Sequence, residues 1–198
     1  MGVVGRRPAW LYGWQYCQSV QRRPDGLEAD DRIRDRLERL CCFAGEILVR
    51  CPSCDQQASV VPDPNSAVDK SHSWLRRRLI CRGCGRTEVW EAPLIHASAM
   101  GGTLSAGRIL PDFSGPNDPY FGLPLWLSAA CCGEVLWAYN AEHLDRLEEY
   151  VSARLRERGP VPGSMSMLER LPKWIKEAKH RDEVVRTIRR LRTSRGAR

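Results

Sequence analysis

Two pairs of cysteines constrain this chain more than any other feature in it. Cys51-Pro52-Ser53-Cys54 is followed, after 26 intervening residues, by Cys81-Arg82-Gly83-Cys84-Gly85. A two-residue gap lets both sulfurs of a pair face one ion about 2.3 Å away, and a second pair completes a tetrahedron of thiolates. Gly83 and Gly85 suit the tight knuckle such a pair needs, in which positive φ is required and backbone N–H groups turn toward the sulfurs. The pattern predicts one structural Zn2+ held by Cys51, Cys54, Cys81 and Cys84. Two disulfides, or ordinary buried cysteines, would not require the same short gap in both pairs. His72 lies between the pairs, but four thiolates already complete the site and leave no position for an activated water.

CPSC followed by CRGCG, with the β-rich Val60-Val61 and Trp74-Leu75 between them, resembles the zinc ribbons of transcription factor IIB and of the elongation-factor IIS type. The resemblance covers under a quarter of the chain. It implies a small antiparallel sheet around the metal and leaves function open, because such ribbons serve many machines. Elongation-type ribbons carry an adjacent Asp-Glu pair that assists RNA cleavage. Asp63-Pro64-Asn65-Ser66 and Asp69-Lys70 contain no such pair, so the cleavage role is not implied. The stretch from Leu123-Pro124-Leu125-Trp126 through Cys131-Cys132-Gly133 to Asn140 is similar to bacterial proteins that carry such a ribbon, which implies architecture alone.

The charge is informative once located. Residues 170–198 hold eleven Lys or Arg against three Asp or Glu, a net of +8, whereas the whole chain of 198 residues carries +7. A basic tail of this kind suits a polyanion. No apolar run approaches 18 residues, and Met1-Gly2-Val3-Val4-Gly5-Arg6-Arg7 lacks the apolar core of a signal peptide, so no membrane association is expected. Nine cysteines without a secretion signal predict a reducing, cytoplasmic setting.

Patterning predicts an α+β fold: a small antiparallel β zinc ribbon plus a β-hairpin and C-terminal helices. Residues 1–45 read as a lead-in, with Trp10, Tyr12, Trp14 and Tyr16 in alternation, and then a helix. That helix is capped from Asp25 to Glu28, carries Ile33, Leu37, Leu40 and Cys41 at helical spacing, and closes at Cys41-Cys42, read as buried thiols. Residues 46–93 form the ribbon, with strands over 46–50, 60–61, 74–80 and 87–90. Residues 94–122, rich in Gly, Pro, Ser and Asp, read as a long connection with short ordered pieces. Residues 123–158 form a hairpin about Cys131-Cys132-Gly133 and a helix capped by Asn140 that runs to Arg158. Residues 159–198 form a basic helical tail with a capping box at Ser166 and Glu169, an interruption at Pro172 and a last helix over 182–191. The adjacent Cys131 and Cys132 read as packing residues, with a second metal knuckle or a redox pair as the competing reading.

No nucleophile elbow, zinc-protease helix, dinucleotide loop or P-loop is present, and the chain is expected not to be an enzyme. The expected function is non-enzymatic nucleic-acid binding, with DNA among the candidate ligands. Alternation on the strand before Cys81 places Trp74, Arg76 and Arg78 on one face, Arg82 and Arg86 add charge at the knuckle, and Arg186, Arg189, Arg190 and Arg192 line the last helix. The competing expectation is an adaptor that docks on a protein partner through the ribbon and through an apolar patch around Trp126 and Trp137.

Overall fold

This computed structural model describes residues 32–64, 76–98, 104–108, 111–157 and 166–194. The chain divides into two compact units, one of Gly45–Leu127 and one of Met1–Ala44 with Ser128–Arg198. The expected ribbon of residues 46–93 and the expected connection of residues 94–122 therefore share a unit.

The first unit is built on a four-stranded antiparallel sheet in the order β2 (Ile47–Arg50), β3 (Gln57–Pro62), β4 (Arg76–Cys81) and β5 (Thr87–Glu91). Its registers run Val49↔Ala58, Ala58↔Cys81 and Ile80↔Thr87, so each cysteine pair sits at one end of a strand pairing. Along β4, Arg77, Leu79 and Cys81 are buried while Arg76, Arg78 and Ile80 are half-buried, the period of two that the sequence predicts. The predicted strands match these four to within a few residues. The free edge of β2 is covered: Arg50 N–H donates to Pro124 O and Trp126 N–H to Leu48 O, both at 2.9 Å. An open strand edge is a template for aggregation, and this backbone pairing closes it.

The described parts of residues 94–122 hold short ordered pieces, as expected. β6 (Leu94–Ser98) and β7 (Leu104–Arg108) pair antiparallel from Leu94↔Arg108 to Ser98↔Leu104. Glycines and small residues break the apolar alternation there, so backbone pairing rather than side-chain pattern defines the hairpin. Asp118 then organises a turn, its carboxylate accepting N–H groups from Tyr120 and Phe121 at 3.0 Å and from Leu123 at 2.7 Å. That turn sets Tyr120 edge-on to Trp90, with centroids 5.1 Å apart, and beneath the Arg77 guanidinium at 4.7 Å.

In the second unit the expected N-terminal helix is corrected over its described part. Arg32–Arg34 is a strand, β1, and Leu40–Phe43 is a single 3-10 turn. Asp35 accepts the Leu37 N–H at 2.8 Å, and Leu37 takes a φ of 61°, which ends any helical run. The capping residues Asp25 and Glu28, and the aromatics Trp10 to Tyr16, lie outside the described residues. Cys42 is buried, as expected, but is disulfide-bonded rather than a free thiol, and Cys41 is a half-buried thiol.

β8 (Leu127–Cys131) and β9 (Glu134–Ala138) form the expected hairpin about a two-residue turn. Asn140 caps α1 (Ala141–Ser152), its Oδ1 accepting the His143 N–H at 2.9 Å. The predicted extension to Arg158 is corrected: Ala153 turns extended, and β10 (Leu155–Glu157) pairs in parallel with β1. The capping box of Ser166 and Glu169 opens α2 (Met167–Arg170), and Pro172 separates it from α3 (Lys173–Lys176), as expected. The last helix, α4 (Arg181–Ser194), packs on α1 through Val184, Ile188 and Leu191, against α1's buried Leu144, Leu147 and Val151. No helix among the described residues is long and apolar enough to cross a membrane.

Candidate metal centre

The ribbon's two knuckles are built alike. Asp55 N–H donates to Cys51 O at 2.9 Å and Gly85 N–H to Cys81 O at 3.0 Å. Each knuckle then closes with the first cysteine donating its N–H forward, Cys51 to Gln56 O at 2.8 Å and Cys81 to Arg86 O at 2.9 Å. The residue after the second cysteine carries the positive φ in both, 56° at Asp55 and 74° at Gly85. Gly85 thus fills the role expected of it, and Asp is among the few other types that tolerate this region. Gly83 does not have positive φ, and a Cβ there would meet Gln56 at an ordinary 3.4 Å, so its predicted conformational role is corrected.

This geometry gathers four sulfurs. Cys51 Sγ and Cys84 Sγ are 3.6 Å apart, as are Cys54 Sγ and Cys81 Sγ, and all four lie within 4.8 Å of one another. Sulfurs at about 2.3 Å from a tetrahedral zinc are about 3.8 Å from each other, so the set fits the ion without rebuilding the knuckles. Cys51 and Cys81 are buried, Cys54 is half-buried and Cys84 is exposed. The donors do not ionise together by themselves. Burial opposes ionisation of Cys51, but the N–H groups of Ser53 and Cys54 and the neighbouring thiols outweigh it and bring its pKa down to about 6. Despite the Gln56 N–H, burial and those same thiols push Cys54 up to about 12. A bound dication would ease that conflict by bonding to all four sulfurs and balancing two of their four charges, which is the stabilising chemistry zinc would supply here.

The basic residues are distributed differently from what strand and helix patterns suggest. Arg76 Nε donates to Asp63 Oδ2 at 2.6 Å and Arg78 Nη2 to Asp63 Oδ1 at 2.7 Å, with the Asp63 side chain fully buried. Arg76 also approaches Glu91 at 3.7 Å. Arg86 links the two knuckles, donating to Ser53 Oγ at 2.8 Å and to Glu88 at 2.7 Å. Arg82 is exposed at the second knuckle. Trp74 lies outside the described residues. On α4, Arg189 pairs with Glu148 at 2.9 Å, and Arg192 pairs with Asp145 at 2.5 Å and Glu148 at 2.7 Å. Arg186 and Arg190 are exposed on the same helix.

Several contributors were not predicted. Arg77 is completely buried against Tyr120, and burial pulls its pKa down against the favourable Tyr120 interaction. In the sequence Asp63 enters only as a residue of a stretch that lacks an Asp-Glu pair. Its role is set by cross-strand register, since it follows β3 where Pro62 pairs with Arg77.

Four cysteines on antiparallel strands with paired knuckles define the class: a metal-binding domain compatible with a zinc ribbon, inside an α+β chain. Compared with known proteins, the chain matches no family model, no curated protein and no solved structure.

Proposed function

We propose that this is a zinc-stabilised, non-enzymatic nucleic-acid-binding protein, with a ribbon of the transcription factor IIB kind and contacts made chiefly to phosphates. The observation that supports this best is the division of labour on α4. Arg189 and Arg192 spend their charge on Asp145 and Glu148 and hold the helix on α1. Arg186 and Arg190, four residues apart and exposed, leave one helical face basic. A fixed basic face binds phosphates with less ordering cost than a free tail. In the ribbon, Arg82 is the exposed contact, while Arg76 and Arg78 are partly neutralised by Asp63.

The adaptor reading has less support. Trp126 is half-buried with the Arg50 guanidinium 5.1 Å from its ring centroid, and Trp137 is half-buried against Tyr139 and His143. The exposed large hydrophobics among the described residues are Val89 and Val135.

The test is fluorescence anisotropy of the zinc-loaded full chain with single-stranded DNA, duplex DNA and RNA across a salt series. Each phosphate contact contributes about 0.9 to the log–log salt slope on duplex and about 0.7 on a single strand. The double variant Arg186→Gln/Arg190→Gln is expected to lower the slope by about 1.4 to 1.8. Absence of binding at low salt, or an unchanged slope in the variant, would reject this function.

A further inference from the structure

A second cluster of soft ligands lies in the helical unit, independent of the ribbon. The β8–β9 hairpin turns through Cys132 and Gly133, with φ of 53° and 79°. Both central residues of this tight turn need positive φ, where Asn or Asp normally precedes Gly. Cysteine has no backbone reason to occupy that position, so the strain points to a role for its side chain.

Cys131 Sγ and Cys132 Sγ are 3.8 Å apart, far outside disulfide bonding and close to the edge of a thiolate tetrahedron around zinc. Glu183, in the first turn of α4, accepts the Cys132 N–H at 2.7 Å and so pins helix to hairpin. The hydrogen bond places a carboxylate oxygen and both sulfurs within 4.8 Å of one another. Cys131 is buried, Cys132 is half-buried and Glu183 is exposed, so the cluster has a dry floor and one side open to solvent.

We propose that Cys131, Cys132 and Glu183 form a second metal site, for a divalent thiophilic cation of the zinc type, with its fourth position open to water or an incoming ligand. Two sulfurs and one oxygen supply three of the four donors, the pattern that distinguishes open sites from closed structural ones. Two thiolates and a carboxylate overcompensate a dication by one charge, and the Arg186 guanidinium, whose charge acts on Glu183, offsets the excess. Binding releases the two thiol protons, so affinity rises with pH.

The experiment is Co2+ titration of the full chain, fully reduced and metal-free under anaerobic conditions, followed by absorption, with Zn2+ competition and metal analysis. The expected result is two equivalents per chain, the second with thiolate charge-transfer intensity about half that of the four-sulfur site. Cys132→Ser should abolish the second equivalent and leave the first. Glu183→Gln keeps an oxygen to accept the Cys132 N–H, so the fold is retained by circular dichroism. It should weaken the second equivalent by about tenfold or more. The proposal is overturned if the reduced chain binds one equivalent only. It is equally overturned if a second equivalent binds with unchanged affinity and spectrum in both variants.

Discussion

Lowering the pH from 8 to 5 should weaken the helical unit through His143. This side chain is 2% exposed, stacked on Phe43 at 5.0 Å and edge-on to Trp137 and Tyr139 at 5.8 Å. Its Nδ1 accepts the Tyr139 N–H at 3.2 Å, a bond only the neutral ring can make. Burial brings its pKa down from 6.5 to about 3. Because the folded value lies below the unfolded one, protons bind the unfolded chain preferentially. Stability from this group is complete above pH 6.5 and falls as pH drops toward 3. At about 1.4 kcal/mol per unit, the loss is about 2 kcal/mol at pH 5, a sizeable share of the 5–15 kcal/mol roughly typical of a domain. The assay is urea denaturation of wild type and His143→Phe at several pH values, read by tryptophan fluorescence, since Trp137 reports on this cluster. The variant orphans the Tyr139 N–H and starts about 1–3 kcal/mol less stable at pH 8. Its deficit should shrink by about 2 kcal/mol by pH 5, while zinc loss and other acid effects cancel in the difference. A deficit that stays constant with pH would refute a buried neutral His143.

Two further predictions concern the ribbon. Asp63→Asn leaves Arg76 and Arg78, 38% and 25% exposed, sharing a neutral amide, and should cost about 2 kcal/mol because water replaces part of the lost bonding. If the ribbon contacts phosphates, the same substitution should steepen the salt slope of binding, and an unchanged slope would exclude this face. Removing zinc, by chelation or by Cys84→Ser, should release on the order of 10 kcal/mol of folding energy from the ribbon. Hydrogen exchange should then lose protection at Val60 and Leu79, and retained protection would mean that the sheet stands without metal.

What could be read from the residues was whatever depends on local spacing. The CxxC pairs, the Asn140 cap, the Ser166–Glu169 box and the Pro172 break all act within a few residues, and each lies where its pattern indicates. The larger failure, the N-terminal helix, has a partner distant in sequence beside the local Asp35–Leu37 turn. Ile33 and Leu37 have helical spacing, yet β10, more than a hundred residues on, takes residues 32–34 into a parallel pair. Helical periodicity is a statement about one side of a segment, and it loses to a backbone partner that the segment itself does not contain.

The same distinction governs the arginines. Alternation correctly puts Arg76 and Arg78 on the outer face of β4, and helical period correctly separates the basic side of α4 from Val184 and Ile188. Neither period tells which guanidinium meets an acid. Asp63 takes two of the ribbon's charges, Asp145 and Glu148 take two of the helix's, and Glu183 at the head of α4 turns toward Cys132. Charge available to a polyanion is therefore what remains after these pairings. A count of basic residues overstates it, and under the proposed function Arg82, Arg186 and Arg190 are exposed candidates for phosphate contact among the described residues.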